Sequence, residues 1–322
     1  DLMNGATAPI LSVDMPTGLH ADTGVAASNA VCASATLCLL TLKPGLFTGE
    51  GRDHSIQVWL DDLQVDAARL LPELRPSAHL SGAPASGERP HATHKGSYGS
   101  LAIVGGAPGM TGAALLAAVA AIHAGAGKVY LCPLDKHLLA LPTGHAELML
   151  RDIAAIDPKD MTVACGCGGG DAVRAHLPRL LSTAARLVLD ADALNALPTD
   201  IQLQGQLRAR AARGLPSVLT PHPLEAARLL GVGSAQIQSD RIGAAQQLAD
   251  GYQCVVALKG SGTVVAAPGC IPRINPTGNA RLATAGTGDV LAGMVGAALA
   301  SGMPAFEAAW TMVYRHGAAA DR

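Results

Sequence analysis

The chain has 322 residues, of which 49% are hydrophobic and 2% aromatic, and its formal net charge is −2. That length suffices for one large domain or two smaller ones with a substantial core. The weak charge and the few aromatic stacking surfaces argue against a nucleic-acid partner. No apolar run is long enough to predict a membrane span.

In the first part of the chain, apolar strands are predicted at residues 9–14, 36–41 and 56–60, and the first of them ends in Asp14. Proline, serine and glycine then interrupt the pattern, which predicts a linker over residues 76–92. The piece before that linker is short for a complete α/β domain.

From residue 101 onward, apolar strands alternate with helices. The first helix is predicted over residues 113–124, with Gly125 as its stop. Strands are predicted at residues 101–104, 128–132, 163–164, 187–190, 217–219, 255–258 and 264–266. This alternation predicts an α/β fold whose mostly parallel sheet is covered on both faces, with ligands bound beyond the carboxyl ends of the strands.

The most informative motif is Thr284-Ala285-Gly286-Thr287-Gly288-Asp289, which is followed by an apolar run to about Leu299. It predicts a tight turn that opens a buried helix. Unpaired N–H groups and the positive end of the helix dipole make such a turn an anion site. Asp289 would either cap the helix or accept a proton from a hydroxyl that attacks a bound phosphate.

Lys259-Gly260-Ser261-Gly262-Thr263 follows the strand at 255–258. Its glycines would allow the backbone to approach a phosphate, and its polar side chains add donors. The spacing differs from that of a P-loop. Because residues 264–266 also resemble a strand, a plain β-hairpin turn is the alternative.

Other candidate residues also follow predicted strand ends. The glycine loops at residues 105–112 and 165–170 suit either a ligand or a simple connection. The segment Asp190-Ala191-Asp192 ends a strand and is predicted to cap a helix that reaches Leu197, with a magnesium or ribose contact as the alternative. His222 lies on a turn bracketed by prolines, where it is either structural or a substrate contact.

The seven cysteines are scattered and mostly lie in apolar runs. Free cysteines in such runs behave as small hydrophobic side chains and are typical of a reducing compartment. We therefore expect a cytoplasmic protein. Cys165-Gly166-Cys167 has no second pair at zinc spacing, so a metal site there is not expected.

As an ordered set, these motifs resemble the ADP-dependent NAD(P)H-hydrate dehydratases, which have a ribokinase-like fold. The resemblance covers the chain from about residue 94 to its end. It rests on His94-Lys95-Gly96, the loop and helix at 105–125, Asp190-Ala-Asp-Ala-Leu194, Leu219-Thr-Pro-His222, Leu258-Lys-Gly260 and Ala285-Gly-Thr-Gly-Asp-Val-Leu291.

Residues 10–60 resemble the C-terminal end of the NAD(P)H-hydrate epimerase domain, through Val13-Asp-Met-Pro-Thr-Gly18 and Lys43-Pro-Gly45. The chain therefore resembles part of the bifunctional bacterial repair enzyme. The family's Gly-Asn-Asn-rich segment is absent from this sequence, so we expect no epimerase activity from this chain. We also expect its end, Arg322, to fall short of the family's last helix.

The resemblance implies a three-layer αβα ribokinase-like domain over residues 93–322, with a mostly parallel central sheet. Before it come the linker at 76–92 and a partial Rossmann-like α/β segment over residues 1–75. The family commonly assembles into homo-oligomers.

The implied reaction dehydrates (S)-NAD(P)H hydrate with ADP and Mg²⁺ and releases AMP and phosphate. Asp289 is implied as the catalytic base. The implied nucleotide-binding residues are Lys259, Gly260, Ser261, Gly262, Thr263 and Gly288, and those for the hydrated cofactor are Ala113, Gly170, His222 and Asp289. In the epimerase-like segment, Asp14 matches a substrate contact and Thr17 a K⁺ contact.

One departure from the family pattern concerns the loop that is usually Gly-Pro-Gly-Leu-Gly. Here it reads Gly166-Cys167-Gly168-Gly169-Gly170, which lacks the rigidity of proline. Thr17 replaces the family's serine and keeps its hydroxyl.

Three alternatives remain open from the sequence. A small-molecule kinase of the same fold, for hydroxymethylpyrimidine or a sugar, would use the same turn before Asp289. A nucleotide-binding module without catalysis is the second alternative. A purely structural role is plausible for residues 1–70.

Overall fold

The computed structural model describes residues 2–66, 69, 73, 75–85, 90–136 and 144–322. The N-terminal part contains a small parallel sheet in the order β1-β2-β3. Its strands are β1 (Leu11–Val13), β2 (Ala35–Leu39) and β3 (Gln57–Asp61), and the short helix α1 (Gly51–Ser55) precedes β3. This is the partial Rossmann-like segment that the resemblance implies.

The remainder of the described chain is built on a ten-stranded sheet. Its strands are β4 (His79–Leu80), β5 (Ser100–Gly105), β6 (Lys128–Pro133), β7 (Met149–Leu150), β8 (Thr162–Cys165), β9 (Arg186–Leu189), β10 (Ser217–Leu219), β11 (Val255–Leu258), β12 (Val264–Ala266) and β13 (Arg273–Ile274). Their order is β4-β13-β12-β11-β10-β9-β8-β5-β6-β7. Only the pairs that involve β12 are antiparallel, so the sheet is mostly parallel as predicted.

Helices cover both faces of this sheet. They are α2 (Thr111–His123), α3 (Leu177–Thr183), α4 (Ala191–Ala196), α5 (Ile201–Ala212), α6 (Pro223–Leu230), α7 (Ser234–Ser239), α8 (Arg241–Tyr252), α9 (Thr287–Ala300) and α10 (Ala305–Ala320). One face packs a cluster of buried side chains against α3 to α8, and the other packs a second cluster against α2, α9 and α10. These three layers confirm the ribokinase-like αβα architecture that was predicted.

The element bounds follow the sequence pattern closely. Strands β10 to β12 have the predicted bounds, and the other predicted strands shift by one or two residues at an end. Helix α2 ends just before Gly125, whose φ of +94° suits a residue without a side chain.

The predicted linker at residues 76–92 contains β4, which pairs with β13 at the edge of the large sheet. Residues 86–89 of this stretch lie outside the described residues. A two-residue strand beside prolines leaves no alternating pattern in a sequence, so it was missed. The domain boundaries at residues 75 and 93 stay a prediction.

Among the described residues, no helix is both long and apolar enough to cross a membrane. All seven cysteines are free, and five of them are buried.

Candidate active site

The turn before α9 has the geometry that the sequence predicts for an anion site. Gly286 takes a left-handed φ of +92°, and the Thr287 hydroxyl donates to the Leu282 and Thr284 carbonyls at 2.9 Å each. Asp289 is the third residue of the helix, and no side chain caps the helix. The Asp289 carboxylate therefore lies beside the unpaired N–H groups of the first turn and does not accept hydrogen bonds from them.

An ion pair between two strand ends lies next to this turn. Lys259, after β11, donates from Nζ to Asp190 Oδ1 at 2.7 Å, and Asp190 is 2% exposed. Thr220 donates its hydroxyl to the same oxygen at 2.8 Å. Burial opposes the charge of Lys259, but the Asp190 and Glu225 carboxylates outweigh it and leave its pKa raised.

The prediction that the Asp190 side chain caps a helix is wrong. Asp190 does occupy the N-cap position of α4, but its side chain makes no cap hydrogen bond. The side chain is instead engaged by Lys259 and Thr220, because a buried carboxylate is stabilised far more by a cation than by a helix end.

Cys167, Asp190 and Asp289 form the centre of the site, where the Sγ atom and one oxygen of each carboxylate lie within 4.8 Å of one another. Burial and the nearby Asp190 charge raise the pKa of Asp289, while a hydrogen bond from Cys167 opposes that rise. Burial and the two carboxylates hold the pKa of the Cys167 thiol far above its ordinary value. The thiol therefore stays protonated and donates to Asp289.

Cys165 and Cys167 do not face each other. Cys165 belongs to the hydrophobic cluster on one side of the sheet and Cys167 to the cluster on the other. Cys165 ends β8, and Gly166, with a φ of +122°, turns the chain before Cys167, so the two thiols lie in different clusters.

His222 has the structural role that the sequence left open as one alternative, and the substrate contact stays a prediction. Its Nδ1 accepts from the Leu224 N–H at 3.1 Å, and the Glu225 carboxylate accepts from the His222 N–H at 2.8 Å, which forms a capping box at α6. The ring also lies close enough to Lys259 and Asp190 for their charges to act on it. Burial and Lys259 lower the pKa of His222, so the ring is neutral at pH 7.

Glu225 lies beside His222 and Lys259 and was not among the predicted site residues. It is 3% exposed, and burial raises its pKa to about 7 against the opposing charge of Lys259. The signal was present, because an acid three residues after an N-cap residue is the signature of a capping box.

The glycine loop after β8 brings the predicted cofactor-binding residues together. A Cβ atom at Gly168 would lie 2.9 Å from the Ala113 Cβ, so the loop packs directly on the start of α2. Gly170 has a φ of +52°, and its N–H donates to Asp192 Oδ2 at 2.8 Å. Asp192 therefore holds the glycine loop in place.

A cavity of about 690 Å³ opens beside the Asp289 turn. Its walls include five of the six predicted nucleotide-binding residues, namely Lys259, Gly260, Ser261, Thr263 and Gly288. The loop 259–263 also joins the antiparallel strands β11 and β12, so the hairpin interpretation holds as well. Gly262 is turned away from the cavity, and a Cβ atom there would overlap the Phe47 carbonyl.

Asp14 and Thr17 lie in the N-terminal part, and neither lines this cavity. Asp14 has a φ of +68°, accepts from the Leu39 N–H at 3.1 Å and forms an ion pair with Lys43. Hydrogen bonds from Lys43 and Leu39 lower the pKa of Asp14. The roles of Asp14 and Thr17, like those of the other predicted site residues, stay predictions.

A three-layer α/β fold with a glycine turn, an acid on the first helical turn and a lysine beside that turn at the edge of a cavity defines a protein of the ribokinase-like class. Residues 101–322 match the family model described as NAD(P)H-hydrate dehydratase, and the chain belongs to this family. Residues 1–45 match the model described as YjeF-related protein N-terminus.

Two relatives illustrate the similarity. The ADP-dependent (S)-NAD(P)H-hydrate dehydratase of Neisseria meningitidis serogroup B is 45% identical over 236 residues, which are 71% of this chain and 78% of that protein. The bifunctional NAD(P)H-hydrate repair enzyme of Escherichia coli is 37% identical over 331 residues. That match covers 100% of this chain, which thus spans 62% of the length of the E. coli protein.

Among solved structures, the chain resembles the ADP/ATP-dependent NAD(P)H-hydrate dehydratase from Bacillus subtilis that was co-crystallised with ATP and Mg²⁺. The TM-score is 0.63 and the identity 32%, over 73% of this chain and 84% of that chain.

Proposed function

We propose that this protein dehydrates (S)-NAD(P)H hydrate at the expense of ADP and returns NADH or NADPH, AMP and phosphate. The observation that carries this proposal is the Asp289 carboxylate on the first turn of α9, beside the Lys259–Asp190 pair and the cavity. Family membership and the activities named for the relatives point to the same reaction.

In this proposal, the first step transfers a phosphoryl group. Asp289 accepts the proton of the ring hydroxyl, the hydroxyl oxygen forms a bond to the β-phosphorus of ADP, and AMP leaves with the electrons of the broken P–O bond. Phosphate then departs with the electrons of its C–O bond, the neighbouring carbon loses a proton to water, and the electrons of that C–H bond restore the ring double bond. Lys259 and the N-terminus of α9 stabilise the negative charge on the phosphoryl group.

The surroundings of Lys259 fit a magnesium–nucleotide complex. Carboxylates of Asp190, Asp289 and Glu225 gather around its ammonium, and Mg²⁺ prefers such oxygens together with substrate phosphates. Bound Mg²⁺ would supply charge neutralisation for the phosphates. The proposed reaction uses no potassium ion, and the K⁺ contact predicted at Thr17 concerns only the epimerase-like segment.

The hydrated nicotinamide ring is proposed to bind between the glycine loop, the start of α2 and His222. Gly168 and Gly170 are half-buried and follow the carboxyl end of β8, the side of such a sheet where ligands bind, and Gly168 packs against Ala113. Neutral His222 offers a polar contact without adding charge beside Lys259.

The remaining proposals concern the whole protein. We propose a cytoplasmic homo-oligomer that acts on small molecules, without a nucleic-acid partner. We propose that the chain as given does not epimerise, because only a short part of it matches the epimerase-like family model.

The experiment that tests the proposed function is recovery of absorbance at 340 nm when the protein is added to hydrated NADH with Mg²⁺ and ADP. We expect recovery that requires ADP and falls about 10²–10⁴-fold in Asp289→Asn, which keeps the shape but loses the base. No recovery with either ADP or ATP in a folded sample would refute the proposal. ATP-dependent accumulation of a stable phosphorylated product would point to a kinase instead.

A further inference from the structure

One wall of the cavity beside Asp289 comes from the N-terminal part of the chain rather than from the ten-stranded sheet. This bracing segment, residues 46–58, includes the end of the loop after β2, helix α1 and the start of β3. The residues that it contributes to the cavity are Leu46, Phe47, Arg52, Asp53, Ser55, Ile56 and Val58. Phe47 is one of only two phenylalanines in the chain.

The first anchor of the bracing segment is Thr48, which is fully buried. Its hydroxyl donates to the Gly262 carbonyl at 3.2 Å, and the Gly49 N–H donates to the Ser261 carbonyl at 3.3 Å. Gly262 has a φ of +60° and no room for a side chain beside Phe47. The loop 259–263 is thus fitted to the bracing segment on one side while it lines the cavity on the other.

Arg241 reinforces the contact between Thr48 and the loop 259–263. Its side chain is 1% exposed and donates to the Thr48 hydroxyl at 3.1 Å and to the Leu258 and Lys259 carbonyls at 3.2 and 3.1 Å. A Cβ atom at Gly260 would lie 2.9 Å from the guanidinium. A buried arginine therefore ties Thr48 directly to the backbone of the loop that carries Lys259.

The second anchor is Arg52, which reaches the opposite wall. It donates to the Gly278 carbonyl at 2.7 Å and to the Thr277 carbonyl at 3.5 Å. That loop is in turn fastened to α10, because the Thr277 hydroxyl donates to the Tyr314 carbonyl at 2.8 Å. The bracing segment consequently spans the cavity from the loop 259–263 to the loop 277–279.

The cavity has a polar and an apolar end. Lys259, Gly288 and the N-terminus of α9 form the end that suits phosphate. Phe47, Ile56 and Val58, together with Leu282 and Ala283, give the cavity an apolar lining, which suits a purine base. A nucleotide whose phosphates lie at the first end places its base and ribose toward the bracing segment.

We propose that the bracing segment forms the base-and-ribose end of the nucleotide site, and that Thr48 and Arg52 are positioning residues that hold the two cavity walls for ADP. The proposal rests on the proposed function, since it assigns this cavity to ADP. Its physical reason is preorganisation: walls that are fixed before binding lose less entropy when the nucleotide arrives.

The test is calorimetric titration of the full chain with ADP and, separately, with pyrophosphate, both with Mg²⁺. We expect Arg52→Ala to weaken ADP binding about tenfold and Arg52→Lys to restore part of it, since each 1.4 kcal/mol corresponds to a factor of ten. Thr48→Val, which keeps the side-chain shape, should weaken ADP about fivefold. Pyrophosphate has no base or ribose, so its affinity should change little in Arg52→Ala and should fall less than that of ADP in Thr48→Val, whose anchor also holds the loop that carries Lys259.

Arg174→Ala is the matched control, because Arg174 is a partly exposed arginine that hydrogen-bonds Thr199, and neither residue lines the cavity. It should bind ADP like the unaltered chain. Unchanged ADP affinity in both Arg52→Ala and Thr48→Val would overturn the inference, and so would an equal loss for ADP and pyrophosphate. Failure of the unaltered chain to bind ADP would instead refute the proposed function itself. Thr48→Val carries the test if Arg52→Ala does not fold.

Discussion

Asp190 and Asp289 show how surroundings give one residue type two roles. Asp190 is buried, and its Oδ1 already accepts hydrogen bonds from Lys259 and Thr220. Asp289 has no such cation at hydrogen-bond distance among the described residues, and burial raises its pKa. An acid of raised pKa beside an anion site is the better base for a hydroxyl.

Cys167 is the one residue of this centre that departs from the family's usual loop, and its thiol hydrogen bond lowers the pKa of Asp289. Removing that bond in Cys167→Ala should raise the pKa of Asp289 further. The base is active when deprotonated, so the acidic limb of kcat/KM should move to higher pH. The measurement is the pH profile of NADH recovery with ADP.

Cys167→Ser is the matched variant, because a hydroxyl keeps the donor and nearly the same volume. Its acidic limb should stay close to that of the unaltered chain. If the acidic limb of Cys167→Ala coincided with those of Cys167→Ser and of the unaltered chain, the role assigned to the thiol would be contradicted.

At the scale of elements, close packing of two helices sets the position of Asp289. Helices α2 and α9 approach through small residues, and a Cβ atom at Gly293 would overlap the Ala117 carbonyl. Leu116 of α2 lies beneath Gly286, where an added Cβ atom would approach its Cδ1 to 2.6 Å. The helix that carries the predicted base therefore rests on the helix that carries Ala113.

Gly293→Ala should destabilise the protein by roughly 1–3 kcal/mol, because overpacking forces backbone to shift in a buried interface. Gly205→Ala provides the control in α5, where an added Cβ atom meets nothing within 4 Å. There the better helix propensity of alanine should stabilise by about 0.5–1 kcal/mol. Urea unfolding of both variants measures the difference, and equal effects would contradict the packing argument.

At the scale of the whole molecule, burial separates the cysteines into two groups. Cys32 and Cys270 are exposed, whereas the other five are buried. Burial raises the pKa of Cys132 to about 12 and that of Cys254 to about 12, so both stay as thiols at neutral pH. The thiolate is the reactive form, which makes the buried group inert in the folded state.

Titration with a thiol-specific reagent at pH 8 should therefore modify two cysteines rapidly in the native protein and seven after unfolding. Cys32→Ser with Cys270→Ser should abolish the rapid phase. Rapid reaction of more than two thiols in the native state would mean that the sheet which buries the others opens readily.

The sequence by itself determined the order of strands and helices, the mostly parallel sheet and the turn that bears Asp289. These features are local, because each depends on a few neighbouring residues. They are the alternation of apolar segments, the glycines that end them and the acid after a glycine turn. The same local reasoning favoured a cap for Asp190 and took Gly262 as a nucleotide contact.

Only the tertiary structure decided which distant groups meet. Lys259 and Asp190 are 69 positions apart, and Arg52 is 226 positions from Gly278. No local pattern encodes such pairs, because they arise where separate strand ends and loops converge. The pairing of Asp190, the buried role of Gly262 and the wall that residues 46–58 give to the cavity were therefore visible only once the chain was folded.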